Sequence, residues 1–499
     1  MGIAVLVHLP LLLDDAGFFD GALLQNLADH GRFRELHRWF YNAGLSPEYW
    51  LHRTLWLLPA AAWVHRLVSF GAVVGIGAIV FVVANRYTAL ARRETFALAC
   101  LVVVFPAYHI FVSILSIIYI LPTFLLYLGW FLYFDGRIED RGRSYRLVAY
   151  VLIFLSFVHN SLLVFHYAFA CLAVWILVAR GTRISAAVKR IWPVLVLPVA
   201  FQIVKVIWFQ PRGIYAGYNR LVLLDGTTPL SHRVRMLGGG LLAYVGSPWL
   251  LALAPVAALV IWWLYRSRAI TGLTAQVVLF GAGFCAAAIV PYLLVGKSPE
   301  PGLAWTDRYS MEAALGLALL ALGAARIAGE LLRRGASEGV VLALAWLWSV
   351  ERLESHYFVW TTRAARDAAI VDRLRELSPP LPGTALAWRD DHPVGDETYR
   401  FYELGDKLDQ AWGAQRWVAF DSRTTESVAS RADLLTPKLR SGYLANDFVT
   451  NGCHGAVIIT SNASDGIALR YLATFWSASR RAAIVHDLVT VQITDPTCP

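Results

Sequence analysis

Charged side chains are scarce in this chain of 499 residues: Asp, Glu, Lys and Arg make up 16% of it, whereas hydrophobic residues make up 57%. A soluble domain carries about 25% charged residues. The shortage of charge excludes an ordinary soluble protein and predicts an α-helical polytopic membrane protein. The 19 Trp and 21 Tyr residues suit this class, because amphipathic rings settle at the membrane–water interface.

Several familiar motifs are also missing. The chain has no GxxxxGK[ST], no GxGxxG before a helix and no HExxH, which argues against a nucleotide-hydrolysing or dinucleotide-dependent enzyme. Its five cysteines show no metal-type spacing. Cys100, Cys171 and Cys285 lie in apolar runs, whereas Cys453 and Cys498 lie in a polar C-terminal region. The last two can pair if that region faces an oxidising compartment, and the alternative is two free thiols.

The net charge of +9 does not indicate a nucleic-acid partner, because Lys and Arg cluster in short segments between apolar runs. Cytoplasmic loops carry such an excess of basic residues. One helix through residues 147–178 would put two basic segments on opposite sides, so a break near His159-Asn160-Ser161 is predicted. The resulting spans number about eleven, and they lie within residues 1–13, 67–84, 95–112, 114–134, 147–178 (two helices), 191–209, 246–265, 271–295, 309–325 and 338–350.

This arrangement predicts which segments share a side of the membrane. The basic segments on the cytoplasmic side are Arg86–Arg93, Arg137–Arg146, Arg180–Arg190, Arg266–Arg268 and Arg326–Arg334. A first loop at 14–65, the segments 210–235 and 296–308, and everything after about residue 351 then fall on the external side. Residues 1–350 are thus expected to form the transmembrane domain, and residues 351–499 an external domain.

The first loop begins with a pair of acids. Residues 1–13 are too short to cross a bilayer as a straight helix and lack the features of a signal peptide, so a shortened first span is predicted. Asp14 and Asp15 follow it, where they can act as a base or hold a divalent cation, or simply end the helix. Residues 21–40 and 46–67 show helical apolar spacing and predict helices along the membrane surface.

The region from 351 to 499 has a different character. A helical stretch, TTRAARDAAIVDRLREL, precedes four short strand-like runs: TALAWRD, RWVAFDS, HGAVIITS and LVTVQIT. Such a mixture of helix and strand predicts a small C-terminal α/β extramembrane domain.

Three polar groups share the predicted external side. They are Asp14, Asp15 and Asp20 with His30 and His37; Arg212, Tyr215, Tyr218 and Arg220; and Lys297, Trp305, Asp307 and Arg308. Acids opposite cations fit a ligand that carries a phosphate near a nucleophile to be deprotonated, and arginine suits phosphate through its planar fork. The simpler interpretation of each basic residue is contact with lipid headgroups. His109, His159 and His166 lie in apolar surroundings, where hydrogen bonds between helices are the common role.

The layout resembles the GT-C class of integral-membrane glycosyltransferases. The similarity lies in a short first helix ending in LLLDDAGFFDG, a long first external loop with surface helices, and the segment WTDRYSMEAALGLALL. That segment is similar to the Arg-Tyr element that opens a late helix in bacterial members, including lipid A and O-antigen modifying enzymes. The resemblance covers roughly residues 1–350 in layout, and the shortened first helix departs from the family pattern.

The resemblance implies a location among the lipids of a bacterial inner membrane. It also implies a polyprenyl-phosphate sugar as donor and a glycan, lipid or protein as acceptor. It implies Asp14 or Asp15 as the catalytic base or metal-associated acid, and Arg308 as a contact of the donor phosphate. Asp20, Lys297, Arg212 and Arg220 are further candidates for binding the substrate. No cofactor is required, although a divalent metal stays open.

Two other functions compete with a transferase. A transporter or flippase of lipid-linked saccharides should carry charges near the middle of the membrane and show repeated halves with interrupted helices. The acids of this chain cluster at one membrane face and no internal repeat is visible, which favours the enzyme. A polysaccharide polymerase or ligase also acts on lipid-linked sugars and is poorly separated from a single-sugar transferase.

The topology can be tested by cysteine labelling. Cysteines introduced at Arg92 and Arg141 should react with a membrane-impermeant maleimide only after permeabilisation. Cysteines introduced at Gly226, Pro301 and Asp421 should react in intact cells. Labelling of position 421 only after permeabilisation would contradict the arrangement.

Overall fold

The computed structural model describes residues 2–13, 18–217, 220–222, 229–245, 248–299, 305–394, 398–413, 417–423, 451–462 and 466–498. Over these residues the chain is predominantly helical and carries a small sheet towards its C-terminal end. The predicted outline, a helical membrane protein with a small C-terminal α/β region, is therefore confirmed. Asp14, Asp15, Tyr218, Gly226 and Pro301 lie outside the described residues.

The helices that precede the sheet are α1 (Gly2–Val7), α2 (Leu9–Leu13), α3 (Asp20–Asp29), α4 (Phe33–Ala43), α5 (Ser46–Leu55), α6 (Ala61–Tyr87), α7 (Arg92–Val103), α8 (Ile117–Arg137), α9 (Arg143–Ser156), α10 (Leu162–Ala179), α11 (Ile184–Trp208), α12 (Leu230–Val245), α13 (Pro248–Arg266), α14 (Gly272–Leu294), α15 (Ala314–Leu332) and α16 (Gly335–Glu376). Short 3-10 helices occupy Pro106–Val112, Ile114–Ser116, Gly213–Tyr215 and Trp305–Ala313.

Six helical stretches among the described residues are long and apolar enough to cross a membrane. The number rises to seven if α7 and Pro106–Val112, which meet at 44°, form one broken span. The predicted count of about eleven is therefore not reached by length and composition, and it stays a prediction. The break at residues 159–161 is confirmed, because α9 ends at Ser156 and α10 begins at Leu162.

Glycines bring the backbones of α14 and α15 into close contact. A Cβ at Gly316 would lie 2.6 Å from the backbone nitrogen of Cys285, and one at Gly281 would lie 3.0 Å from that of Leu320. Small residues permit this approach between helices in a membrane, where packing rather than the hydrophobic effect drives association. The contact fixes the chain that leaves α14 beside the chain that enters α15.

Ion pairs join the basic segments at one end of the bundle. Asp135 contacts Arg86 at 2.6 Å and Arg141 at 3.3 Å. Glu139 lies 3.3 Å from Arg180, and Glu94 pairs with Arg326. Four of the segments predicted to share a side therefore do lie together, and the assignment of this end to the cytoplasm stays a prediction.

The first loop is helical but differs from the prediction at its end. Helices α3, α4 and α5 lie within it, and the predicted surface helix over 46–67 stops at Leu55. The remaining residues belong to α6, which begins at Ala61 and runs on into the bilayer-length apolar stretch. The residues AAWVHRL therefore belong to α6 and not to the predicted surface helix, because a long apolar helix can begin with an amphipathic turn.

The C-terminal region contains one described four-stranded sheet, with the order β2–β1–β3–β4. Its strands are β1 (Ala385–Asp390), β2 (Val418–Asp421), β3 (His454–Ser461) and β4 (Val489–Ile493), and its helices are α17 (Phe401–Trp412), α18 (Ile467–Leu472) and α19 (Ala478–Val485). Strand β1 is parallel to β2 and β3, and β4 is antiparallel to β3. All four predicted strands are confirmed.

Helix α16 runs without interruption through the boundary predicted near residue 350. Its C-terminal half is fixed to the sheet by Arg366, which donates to Asp390 Oδ2 at 2.6 Å. The first loop contacts the same region, since Asn26 Nδ2 donates to Asp406 Oδ1 at 2.9 Å and to Asp409 Oδ2 at 3.1 Å. The C-terminal domain is thus connected both to the bundle and to the first loop.

Cys453 and Cys498 form a disulfide, and this resolves the alternatives left by the sequence. The bond ties the beginning of β3 to the chain end, next to the bridge between His454 and Thr497.

Reduction of this bond should destabilise the C-terminal domain by about 2–4 kcal/mol, because the unfolded chain regains the freedom of a 45-residue loop. We expect a lower unfolding temperature with reductant in a thermal melt of the purified protein. Cys453→Ser should give the same low value with and without reductant. A parent protein whose melt ignores reductant would contradict the prediction.

Candidate functional site

A cavity of about 370 Å³ lies at the end of the bundle opposite the ion pairs that Asp135 forms with Arg86 and Arg141. Several elements form it, among them α4 and α5, the turn between α9 and α10, helix α11, the end of α14, and Trp305–Ala313. Most of its wall is apolar. Its charged lining residues are Asp20, Glu48, Lys205, Lys297 and Arg308. An apolar cleft with a few convergent charges is the usual form of a ligand site.

Arg308 is the most enclosed of the three cations. Its Nη1 donates to the carbonyl oxygen of Trp305 at 2.6 Å, and its Nη2 donates to the Tyr309 hydroxyl at 2.7 Å. Its guanidinium also lies over both rings, 4.6 Å from the Trp305 centroid and 4.4 Å from the Tyr309 centroid. Cation–π contact and two hydrogen bonds offset part of the cost of burying the charge.

Lys297 follows α14 and shares Tyr309 with Arg308, since its Nζ lies 5.8 Å from the ring centroid. Burial and the charges of Arg308 and Lys205 lower the pKa of Lys297 to about 7. The ammonium group is therefore only partly protonated near neutral pH. An anion in the cavity would restore its full charge.

The turn between α9 and α10 connects the cations to a buried carboxylate. Asn160 Oδ1 accepts a hydrogen bond of 2.5 Å from Lys205 Nζ. Ser161 Oγ and the Tyr292 hydroxyl donate to Glu312 Oε1 at 2.8 and 3.0 Å. His159 Nδ1 lies 3.3 Å from the same oxygen. These contacts tie α11, α14 and Trp305–Ala313 to one turn.

The carboxyl group of Glu48 lines the cavity. Glu48 lies in α5, and only 5% of its surface is exposed. Burial raises the pKa of the Glu48 carboxyl to about 8, against the opposing effects of its own backbone amide and of the Lys205 charge. Glu48 is therefore predominantly protonated at neutral pH and can donate a hydrogen bond.

Asp20 reaches the cavity from the start of α3 and is held by the C-terminal domain. Its Oδ1 accepts a hydrogen bond of 3.1 Å from Arg400 Nη1 and another from the Tyr402 hydroxyl. The preceding backbone is fixed too, because Phe19 N donates to Glu403 Oε1 at 2.9 Å. Phe19 has a φ of 54° and stacks on Trp305 at 5.0 Å. The chain that follows the acidic pair is thus anchored beside the Arg308 segment.

A chain of three side chains orients the residue before Arg308. Trp360 Nε1 donates to His109 Nδ1 at 3.0 Å, which places the imidazole proton on Nε2. His109 Nε2 then donates to Asp307 Oδ2 at 2.9 Å. This arrangement fixes the 3-10 turn that presents Arg308.

The structure brings together three of the predicted site residues and separates others. Asp20, Lys297 and Arg308 line the cavity, whereas Arg212 and Arg220 are exposed and do not line it. Arg212 lies over the Tyr41 ring at 4.5 Å. Asp14 and Asp15 lie outside the described residues.

Lys205, Glu48 and Glu312 were missed by reasoning from the sequence, and His159 was given a purely structural role. The only signal for them was a charged residue placed within, or next to, an apolar run, which is expensive to bury and marks a functional site by default.

No group of three or more His, Cys, Asp or Glu side chains in the described part of the chain is arranged to hold a metal ion. Comparison with known protein families, with curated proteins and with solved structures found no match. The geometry of the cavity is therefore the basis for inferring the function of this chain.

Anion binding in the cavity should depend on pH through Lys297. A bound phosphate raises the lysine pKa above its value of about 7, so binding takes up a proton when the pH is above 7. We expect the affinity for farnesyl methyl phosphate, whose own charge is constant, to fall as pH rises from 7 to 8, by at most about tenfold per pH unit. Equilibrium binding to protein in nanodiscs measures this.

Lys297→Arg is the matched control, because a guanidinium does not titrate in this range. Its affinity should fall less between pH 7 and 8 than that of the parent, because only the Glu48 proton is then lost. Loss of the Glu48 proton affects both proteins alike, so an identical pH profile for the two would contradict the role of Lys297.

Proposed function

We propose that the chain is a membrane glycosyltransferase that moves a sugar from a polyprenyl-phosphate donor to an acceptor at the external face of a bacterial inner membrane. The observation that carries the proposal is the pair Lys297 and Arg308, which line one largely apolar cavity together with Asp20. A lipid phosphate needs both properties, an apolar wall for its prenyl chain and cations for its charged head.

Arg308 and Lys297 are assigned to the donor phosphate. As the bond to the anomeric carbon breaks, negative charge accumulates on the departing polyprenyl phosphate, and fixed cations in a poorly hydrated site stabilise that charge. Their separation from bulk water strengthens the interaction. No nucleotide site is needed, because the leaving group is the lipid phosphate itself.

Asp14 and Asp15 are assigned to the acceptor. One carboxylate would take the proton of the acceptor hydroxyl as that oxygen attacks the anomeric carbon. Support comes from the flanking chain, since Phe19 stacks on Trp305 and Asp20 lines the cavity. The exposed Arg212 and Arg220 suit lipid headgroups better than the donor phosphate.

A polymerase or ligase that uses a diphosphate-linked saccharide is the second candidate. The third cation, Lys205, favours it, because its charge is close enough to Lys297 to lower the pKa of that lysine. A diphosphate diester carries two negative charges and would engage all three cations. Direct competition between decaprenyl phosphate and decaprenyl diphosphate for the cavity separates the two candidates.

The acidic pair can be tested by removing its charge while keeping its shape. Asp14→Asn or Asp15→Asn should abolish sugar transfer and leave donor binding intact, because the amide cannot take a proton. The assay follows release of polyprenyl phosphate from a panel of labelled polyprenyl-phosphate sugars in membranes. Transfer at the parent rate by both variants would show that the pair merely ends a helix.

Arg308→Ala should act on binding instead. Loss of one charge-assisted hydrogen bond costs about 1.5–3 kcal/mol, which corresponds to at least a tenfold weaker affinity for decaprenyl phosphate in nanodiscs. Arg34→Ala, which removes an exposed cation from α4, is the matched control and should bind like the parent. Equal affinities for all three proteins would remove Arg308 from the site.

A further inference from the structure

The cavity contains a polar group that the proposed chemistry does not use. Oε2 of Glu48 is buried and has no hydrogen-bond partner among the residues that the structure describes. Burying a polar atom without a partner costs free energy, so such atoms are rare in folded proteins. Because Glu48 lines the cavity, a ligand there can supply the missing hydrogen bond.

Aromatic side chains also line the cavity. Trp39 and Phe40 of α4 line it together with Tyr215 and Tyr119. Trp39 Nε1 donates to the Tyr215 hydroxyl at 2.7 Å, which fixes both rings. Rigid aromatic rings next to a carboxyl group are suited to a sugar, whose C–H face packs on a ring while its hydroxyl groups form hydrogen bonds.

The turn between α4 and α5 holds this wall in place. Gly44 has a φ of +73°, and a Cβ there would lie 2.6 Å from the carbonyl oxygen of Phe209. Asn42 O accepts a hydrogen bond of 2.7 Å from Arg212 N. Only a glycine allows the turn to lie so close to the chain that leaves α11. Glu48 and Trp39 are thereby positioned against the helix that carries Lys205.

We propose that Trp39, Phe40, Glu48 and Tyr215 form the subsite for the sugar of the donor, in which the Glu48 carboxyl group hydrogen-bonds a sugar hydroxyl. This assignment rests on the proposed function, because it takes Lys297 and Arg308 as the site of the phosphate.

The test compares ligands with and without a sugar. The probes are decaprenyl phosphate and its glucosyl, galactosyl and mannosyl derivatives, measured by equilibrium binding to the full chain in nanodiscs. The parent should bind at least one glycosylated probe more tightly than decaprenyl phosphate. Glu48→Leu should bind decaprenyl phosphate like the parent and lose about fivefold or more in affinity for that glycosylated probe.

Two further variants separate a sugar contact from a structural effect. Glu48→Gln keeps a hydrogen-bonding group of the same shape and should retain most of the preference for the sugar. Glu35→Gln changes an acid of α4 that pairs with Arg32 at 2.5 Å and does not line the cavity. It should bind every probe like the parent.

Three results overturn the subsite. The first is a parent that binds all probes with equal affinity. The second is a Glu48→Leu variant whose affinity for every probe falls by the same factor. The third is a Glu48→Leu variant whose affinities equal those of the parent. The parent's affinity for decaprenyl phosphate reports separately on the proposed function. If the parent binds no probe, the proposed function fails, and the subsite fails with it.

Discussion

Holding three cations around one cavity is the constraint on which this end of the molecule depends. Lys205, Lys297 and Arg308 repel one another, and their partial burial strengthens the repulsion because the local dielectric is low. Specific partners of these side chains offset the repulsion. Two aromatic rings cover Arg308, Asn160 accepts from Lys205, and the buried Glu312 lies under the turn that carries Asn160. An anion bound in the cavity would reduce this repulsion.

The C-terminal domain contributes to this site by fixing the chain beside it. Glu403 accepts hydrogen bonds from Phe19 N at 2.9 Å and from Arg363 Nη2 at 3.0 Å. It therefore connects the first loop to α16, the helix that runs without interruption from the bundle to the C-terminal sheet. The C-terminal sheet region is thus part of the framework of the cavity, because it anchors the segment that leads to Asp20.

The sequence predicted the elements better than the contacts between them. The four strands and the break at residues 159–161 follow from local pattern, since alternation and basic flanks are visible in one segment at a time. The importance of Glu48 and Lys205 could not be predicted, because they meet only after α5 packs on the end of α11. The same limit explains Arg212, whose residue type suited a phosphate but whose position leaves it exposed on Tyr41. The count of about eleven spans stays a prediction, because helices such as α9, with 14 residues, are shorter than a straight helix across a bilayer.

Binding of a lipid phosphate by Lys297 and Arg308 can be observed directly in a cryo-electron microscopy map of the full chain in nanodiscs containing decaprenyl phosphate. We expect phosphate density within hydrogen-bonding distance of Lys297 Nζ and the Arg308 guanidinium, with the prenyl chain continuing along the apolar wall of the cavity. A map in which the lipid phosphate binds elsewhere, while the cavity contains no lipid, would contradict this expectation.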